Sequence, residues 1–131
     1  RSNTDKKALQ EGLQDGTIDA ICSHHEPLAK TAKQAPFAEC KPGISNFDTF
    51  MGLACQLVKE GILTPTQLVE KIALNPAKIA GIEASYHQTG GAVLVDPSLT
   101  WTVTKESMMS QGKNTPFINS ELTGKVEQVY F

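Results

Sequence analysis

The sequence predicts an α/β fold, helical with a buried strand in its first two thirds and β-rich at its end. Three observations carry this. A short amphipathic helical pattern closes on Gly16 and gives way to the apolar run Ile18 to Cys22, the order of a helix followed by a buried strand. A second helical pattern, from Phe47 to Val58, holds too many apolar residues for one narrow stripe. After Gly81 the texture changes to runs of β-branched and aromatic residues punctuated by glycine and proline.

Ser2 offers a capping hydroxyl with the Asp5 carboxylate three residues on, and Ala8, Leu9 and Leu13 supply an apolar stripe, so a helix of about three turns is expected before Gly16. Ile18 to Cys22 reads as a buried strand that ends in the polar loop Ser23-His24-His25-Glu26-Pro27. From Pro27 to Gly43, prolines and scattered lysines without a period mark a long excursion. Ser45 or Asn46 can cap the next helix, which should be covered on most sides and end at Gly61. Thr64-Pro65 starts another, carrying Leu68, Val69, Ile72 and Ala73. Asn75-Pro76 should stop or kink it, with one short helical turn beyond, from Ala77 to Ile82. Gly90-Gly91, the run Ala92 to Val95, Asp96-Pro97 and the alternation of Trp101 and Val103 predict strands separated by turns. Asn119 to Gly124 reads as a further turn before a terminal strand through Val126, Val129 and Phe131. No internal repeat or low-complexity tract interrupts this order.

With 131 residues the chain is long enough for one compact domain. Arg1 in place of an initiator methionine reads as a cut end, so a larger parent is expected. Twelve basic and 14 acidic residues are interspersed for a net charge of -2, which provides no electropositive stripe for nucleic acid. No apolar run approaches the roughly 20 residues needed to span a bilayer, so no membrane partner is expected. Cys22, Cys40 and Cys55 are odd in number and lack the two-residue spacing of zinc or redox pairs, which fits a reducing, cytoplasmic compartment.

The densest cluster of ligating side chains is Cys22-Ser23-His24-His25-Glu26, at the C-terminal end of a predicted strand. In a (β/α)₈ barrel that end is the catalytic face. A zinc site needs three or four convergent ligands, whereas His24 and His25 point to opposite faces if the strand continues through them. The alternative is a pair of loop histidines satisfied by hydrogen bonds. Cys22 and Cys55 read as buried small hydrophobes, and Cys40 beside Lys41 has no base specified by spacing. His87 reads as a surface residue, and no phosphate-loop lysine accompanies Gly90 and Gly91.

Asp15-Gly16-Thr17-Ile18-Asp19-Ala20-Ile21 followed by Ser23-His24-His25-Glu26-Pro27-Leu28 resembles the dihydroorotase segment that runs Asp-Gly-Thr-Ile-Asp-Ala-Ile and then Thr-Asp-His-Ala-Pro-His. Pro42-Gly43-Ile44-Ser45-Asn46-Phe47-Asp48-Thr49 is similar to the family's Phe-Gly-Ile-x-Gly-Leu-Glu-Thr loop. Leu63-Thr64-Pro65, Asn75-Pro76-Ala77 and Asn114-Thr115-Pro116-Phe117 fall where the family has helix starts and a C-terminal strand signature. Each motif is weak alone, but their order and spacing cover nearly the whole chain.

The resemblance implies an amidohydrolase (β/α)₈ barrel, with residues 1–82 as its last helices and final strand and residues 83–131 as a β-rich segment of the small flanking domain. In active relatives it implies zinc and the reversible hydrolysis of dihydroorotate to carbamoyl aspartate in pyrimidine biosynthesis. The family's aspartate, a metal ligand and proton shuttle, is His24 here, and the substrate-binding histidine is Leu28. His25 keeps the family histidine, and Pro42-Gly43 keeps the glycine whose backbone lies near the substrate in relatives. Asn46 replaces a glycine and tolerates a positive φ better than most residues. The other metal ligands of the family lie upstream of Arg1, so no zinc is expected on this chain. The resemblance thus implies an inactive dihydroorotase-like homologue, with aspartate transcarbamoylase, the remainder of the barrel, or a second copy as partner. The alternative is a divergent hydantoinase- or allantoinase-type amidohydrolase that uses His24 as a ligand. A chance match within an unrelated α/β domain is the third reading.

Overall fold

A computed structural model describes residues 2–82 and 91–131. His87 and Gly90 lie outside these residues. Two units emerge, each gathered from separated stretches of chain: residues 1–22, 54–95 and 126–131 in one, and residues 23–53 and 96–125 in the other.

In the first unit, helix α1 (Asn3–Asp15) starts on the expected capping box. The Asp5 N–H donates to the Ser2 hydroxyl at 3.2 Å, and the Ser2 N–H donates to the Asp5 carboxylate at 2.9 Å. Gly16 stops the helix with φ +88°, a conformation glycine adopts without steric cost. Leu13, Ala54, Leu63 and Leu68 form the buried core, with Ile18, Ile21, Leu57 and Ile72 packed around them. Burial of a leucine side chain contributes roughly 1.5–3 kcal/mol, so the three leucines of this cluster each stabilise the unit.

The segment from Ile18 to Cys22 corrects two expectations. It forms no strand among the described residues, and Cys22 is exposed rather than buried. A strand exists only as part of a hydrogen-bonded ladder, and here the backbone polar groups go elsewhere. The Ile18 N–H donates to the Gly12 carbonyl at 2.8 Å and the Ile21 N–H to the Lys71 carbonyl at 2.9 Å. The Lys71 ammonium donates to the Ile18 carbonyl, and Asn75 Nδ2 to the Asp19 carbonyl at 2.9 Å. Lys71 is itself buried, so its ammonium serves the backbone rather than solvent.

Of the two outcomes expected at its proline, the helical run that supplies those groups does not stop there. Helix α3 (Pro65–Val69) begins on a second capping box between Thr64 and Gln67. It passes into a π turn (Glu70–Leu74) and on into helix α4 (Asn75–Ile79) without stopping. Pro76 lacks an N–H, and in a regular α-helix its ring would meet the carbonyl four residues back. Widening the preceding turn, with the Asn75 N–H bonded to Glu70 five residues back, removes that conflict.

Helix α2 (Phe47–Lys59) is covered on most sides as expected, with only Phe47, Gln56 and Lys59 exposed. In the second unit its Gly52 lies so close to strand β2 (Glu121–Tyr130) that a Cβ there would sit 3.1 Å from the Gly124 carbonyl. Strand β1 (Ala92–Thr102) pairs with β2. As the chain advances from Thr100 to Val103 its partners fall from Thr123 to Asn119, so the pair is antiparallel. Trp101 donates through Nε1 to the Gly124 carbonyl at 3.1 Å, and the Lys125 ammonium lies 5.4 Å from its ring centre. Val103 is completely buried.

Two turn expectations fail in this region. Asp96-Pro97 lies inside β1 and does not break it, because a strand of a two-stranded sheet has an unpaired edge where a missing N–H costs nothing. The turn expected over residues 119–124 comes earlier, ending on Asn119 with φ +66°, and Gly124 is a strand residue.

Candidate functional site

The loop residues singled out by the sequence, His24, His25, Leu28, Pro42 and Gly43, all belong to the second unit. His25 forms a parallel bridge with Ile44, and the Glu26 N–H donates to the Ile44 carbonyl at 2.8 Å. His25 Nδ1 then accepts two backbone N–H groups, from Asn46 at 3.1 Å and from Phe47 at 2.9 Å. Its ring meets that of Phe47 edge to face at 5.7 Å. A nitrogen that accepts two N–H groups carries no proton, so in this geometry the imidazole proton sits on Nε2. His25 therefore caps the N-terminus of α2 from 21 residues away, the task expected of Ser45 or Asn46. Asn46 instead donates through Nδ2 to the Ser23 carbonyl at 3.0 Å and accepts the Thr49 hydroxyl at 2.9 Å. The Ser45 hydroxyl is buried without a hydrogen-bond partner among the described residues.

Asp48, in the first turn of α2, collects a second loop. Its carboxylate accepts the Met109 N–H at 2.6 Å, the Ser110 N–H at 3.4 Å and the Ser110 hydroxyl. Partial burial pushes its pKa up, but the hydrogen bonds from Ser110 and Met109 outweigh this and leave it below the usual carboxylate value.

Asn114 stands between the loops that carry Leu28 and Gly43. Its Oδ1 accepts the Leu28 N–H at 2.7 Å, and its Nδ2 donates to the Glu26 carbonyl at 3.1 Å and the Gly43 carbonyl at 3.2 Å. Its own carbonyl accepts the Ser45 N–H at 3.1 Å. The sequence marks Asn114 as part of a motif but assigns it no role, since its partners are up to 88 residues distant. Gly43 has φ +101°, and a Cβ there would lie 2.7 Å from the Glu26 Cβ. Gly112 is as tight, since its Cβ would lie 2.6 Å from the Leu28 nitrogen. An open cleft of about 550 Å³ is lined by His25, Leu28, Ala29 and the turn from Ser110 to Gly112.

His24 stands apart from this network. It is exposed, its φ of +44° is unusual for a residue with a Cβ, and its imidazole has no hydrogen-bond partner among the described residues. Pro42 is exposed as well. Among the described residues, no three His, Cys, Asp or Glu side chains converge enough to hold one metal ion. With the His25 Nδ1 turned to the α2 backbone, this chain's own donor set does not fit a zinc centre. Cys55 is partly buried, and burial raises its thiol pKa. Cys40 Sγ lies 2.9 Å from the Ala35 carbonyl. No described helix is long and apolar enough to cross a membrane.

No family model matches the chain. Over 129 residues, 96% of its length, it is 43% identical to a dihydroorotase of Syntrophus aciditrophicus, and over 127 residues, 95% of its length, 41% identical to a dihydroorotase of Geobacter metallireducens. Its curated homologues are thus dihydroorotases, matched over nearly the whole of this chain. The chain spans about 30% of the length of these curated relatives. A further relative, 38% identical over 96% of the chain and matched over 30% of its own length, is a dihydroorotase-like protein of Pseudomonas aeruginosa. In fold, the chain is similar to a dihydropyrimidinase from Brevibacillus agri (TM-score 0.87, 20% identity) and to a D-hydantoinase (TM-score 0.85, 22% identity). These superpositions cover 99% and 100% of this chain and 30% and 31% of those chains.

Proposed function

We propose that the chain is the C-terminal part of a dihydroorotase-like protein that keeps the family's loop scaffold and has lost its hydrolytic chemistry. Residues 1–82 would then supply the last helices of a (β/α)₈ barrel and, once paired with the remainder of the barrel, its final strand at residues 18–22, with residues 83–131 a segment of the flanking β domain. The family reaction is the reversible, zinc-dependent hydrolysis of dihydroorotate to carbamoyl aspartate, a step of pyrimidine biosynthesis.

One observation carries this reading. The loops bearing Leu28 and Gly43 are tied together by Asn114, while the two positions that should carry chemistry hold an unanchored histidine at 24 and an apolar leucine at 28. Imidazole at position 24 lacks the negative charge of a carboxylate and places its donor atoms differently. Leucine at 28 offers a substrate no hydrogen bond. Zinc, where the family binds it, supplies an activated hydroxide, and Gly43 and Leu28 would face the substrate beside it. A chain of this kind serves as a structural partner, with aspartate transcarbamoylase the proposed one.

A divergent hydantoinase- or allantoinase-type amidohydrolase is the second reading, favoured by the exposed His24 imidazole, which is free of partners among the described residues and open to a ligand. Zinc content and dihydroorotate hydrolysis of the chain, with and without His24→Asp together with Leu28→His, test the proposal. Neither form should turn over or retain zinc through dialysis against a chelator, since two ligands on one segment fall short of the three or four a site requires. Stoichiometric zinc, or turnover above buffer, contradicts it.

A further inference from the structure

We propose that Asn114 is a positioning residue that holds the loop at Glu26 to Leu28 and the loop at Gly43 to Ser45 as one cradle. The primary amide is suited to this task, because it presents an acceptor and two donor hydrogens from a single planar group. All three side-chain bonds run to backbone atoms: the acceptor takes the Leu28 N–H, and the donors reach the carbonyls of Glu26 and Gly43. The residue's own carbonyl takes the Ser45 N–H, so both sides of the second loop are held by one residue.

Nothing else among the described residues fills this role. The only other backbone ties between the two loops lie at His25, Glu26 and Ile44, at the start of the first loop and short of Leu28. Beyond Glu26, the position of Leu28 rests on the Asn114 Oδ1 and on the close approach of Gly112, where a Cβ would lie 2.7 Å from the Pro27 carbonyl carbon. A carboxylate at 114 could still accept from Leu28 but could not donate to either carbonyl. An alanine could do neither. That the cradle faces a substrate rests on the proposed function; that Asn114 builds it does not.

The test is amide hydrogen exchange and nitrogen chemical shifts on the whole chain and its Asn114→Ala and Asn114→Asp variants. In Asn114→Ala the Leu28 amide should lose protection about tenfold relative to α2 amides in the same sample, as expected for one lost hydrogen bond. The Ser45 amide, bonded to the 114 backbone, should keep its protection. Asn114→Asp should restore Leu28 but not the Ile44 amide shift, which reports on the Gly43 carbonyl. Unchanged Leu28 protection in Asn114→Ala overturns the proposal. So does equal loss at all amides in Asn114→Ala with no rescue of Leu28 in Asn114→Asp. Because no ligand or turnover enters the measurement, its failure would leave the family reading of the site standing, and failure of that reading would leave the cradle intact.

Discussion

Replacing Gly43 by alanine imposes two separable costs. The first is backbone: at φ +101° a Cβ crowds the adjoining peptide, which costs on the order of 1–3 kcal/mol. The second is packing. The new Cβ would lie 2.2 Å from Glu26 Oε2, 2.5 Å from its Cδ and 2.7 Å from its Cβ. The exposed carboxylate can swing away, but the Glu26 Cβ is fixed by a backbone held at both ends, its N–H on the Ile44 carbonyl and its carbonyl on Asn114. Overpacking of this kind costs about 1–3 kcal/mol, so Gly43→Ala should destabilise by roughly 2–6 kcal/mol in all. A double-mutant cycle separates the two. In a Glu26→Gly background the packing cost vanishes and the backbone cost stays, giving a coupling of about 1–3 kcal/mol, whereas Glu26→Ala keeps the Cβ and should relieve little. Urea unfolding of the four proteins of the cycle, with Glu26→Ala backgrounds as control, measures this. A cost below about 0.5 kcal/mol for Gly43→Ala, or equal costs in the wild-type and Glu26→Gly backgrounds, would show that the clash is absorbed and that the glycine is not required by the loop's own geometry.

His25→Ala should destabilise by about 0.5–2 kcal/mol through loss of the α2 cap, while His25→Asn, whose Oδ1 reaches a position close to the lost Nδ1, should recover part of it in the same unfolding assay. The Asp48 pKa is depressed in the fold, so its contribution is fully present above the unfolded value of about 4 and is lost as pH falls through the lower folded value. Asp48→Asn should therefore flatten the acid side of the stability profile below about pH 4. Phe47, Ile79 and Val93 are each more than half exposed, and Phe37 and Met109 almost fully so. Sedimentation velocity at increasing concentration should accordingly show self-association, and a compact monomer throughout would contradict the reading that a partner or further barrel elements cover such residues.

Local chemistry made the helices legible. Ser2 with Asp5 and Thr64 with Gln67 are capping boxes closed within four residues, and Gly16 and Gly61 end their helices with positive φ. What stayed hidden was long-range. The segment from Ile18 to Cys22 has the composition of a buried strand, but its partners are a lysine and an asparagine more than fifty residues on, and no pattern of hydrophobicity encodes a backbone satisfied by side chains. Pro76 reads as a stop or a kink because propensity rules assume a regular α-helix, and the π turn before it removes the conflict that would stop the helix. At the candidate site the resemblance to dihydroorotases singled out His25, Leu28 and Gly43, and the structure places all three in one unit, with Asn114 bonded to the Leu28 N–H and the Gly43 carbonyl. The motifs could not show that His25 is committed to capping α2, or that Asn114 joins the two loops, because both depend on contacts 21 to 88 residues apart.

The central proposal is that this chain keeps a dihydroorotase-like loop scaffold without the groups that perform the reaction. Turnover of dihydroorotate by the purified protein at its natural length, supplied with zinc, tests it most directly. The roles proposed above for positions 24 and 28 predict no hydrolysis above buffer, because the first carries no carboxylate to move a proton and the second no donor to hold a substrate. Sustained turnover that is abolished by His24→Ala would contradict it, and would make the exposed histidine a working ligand.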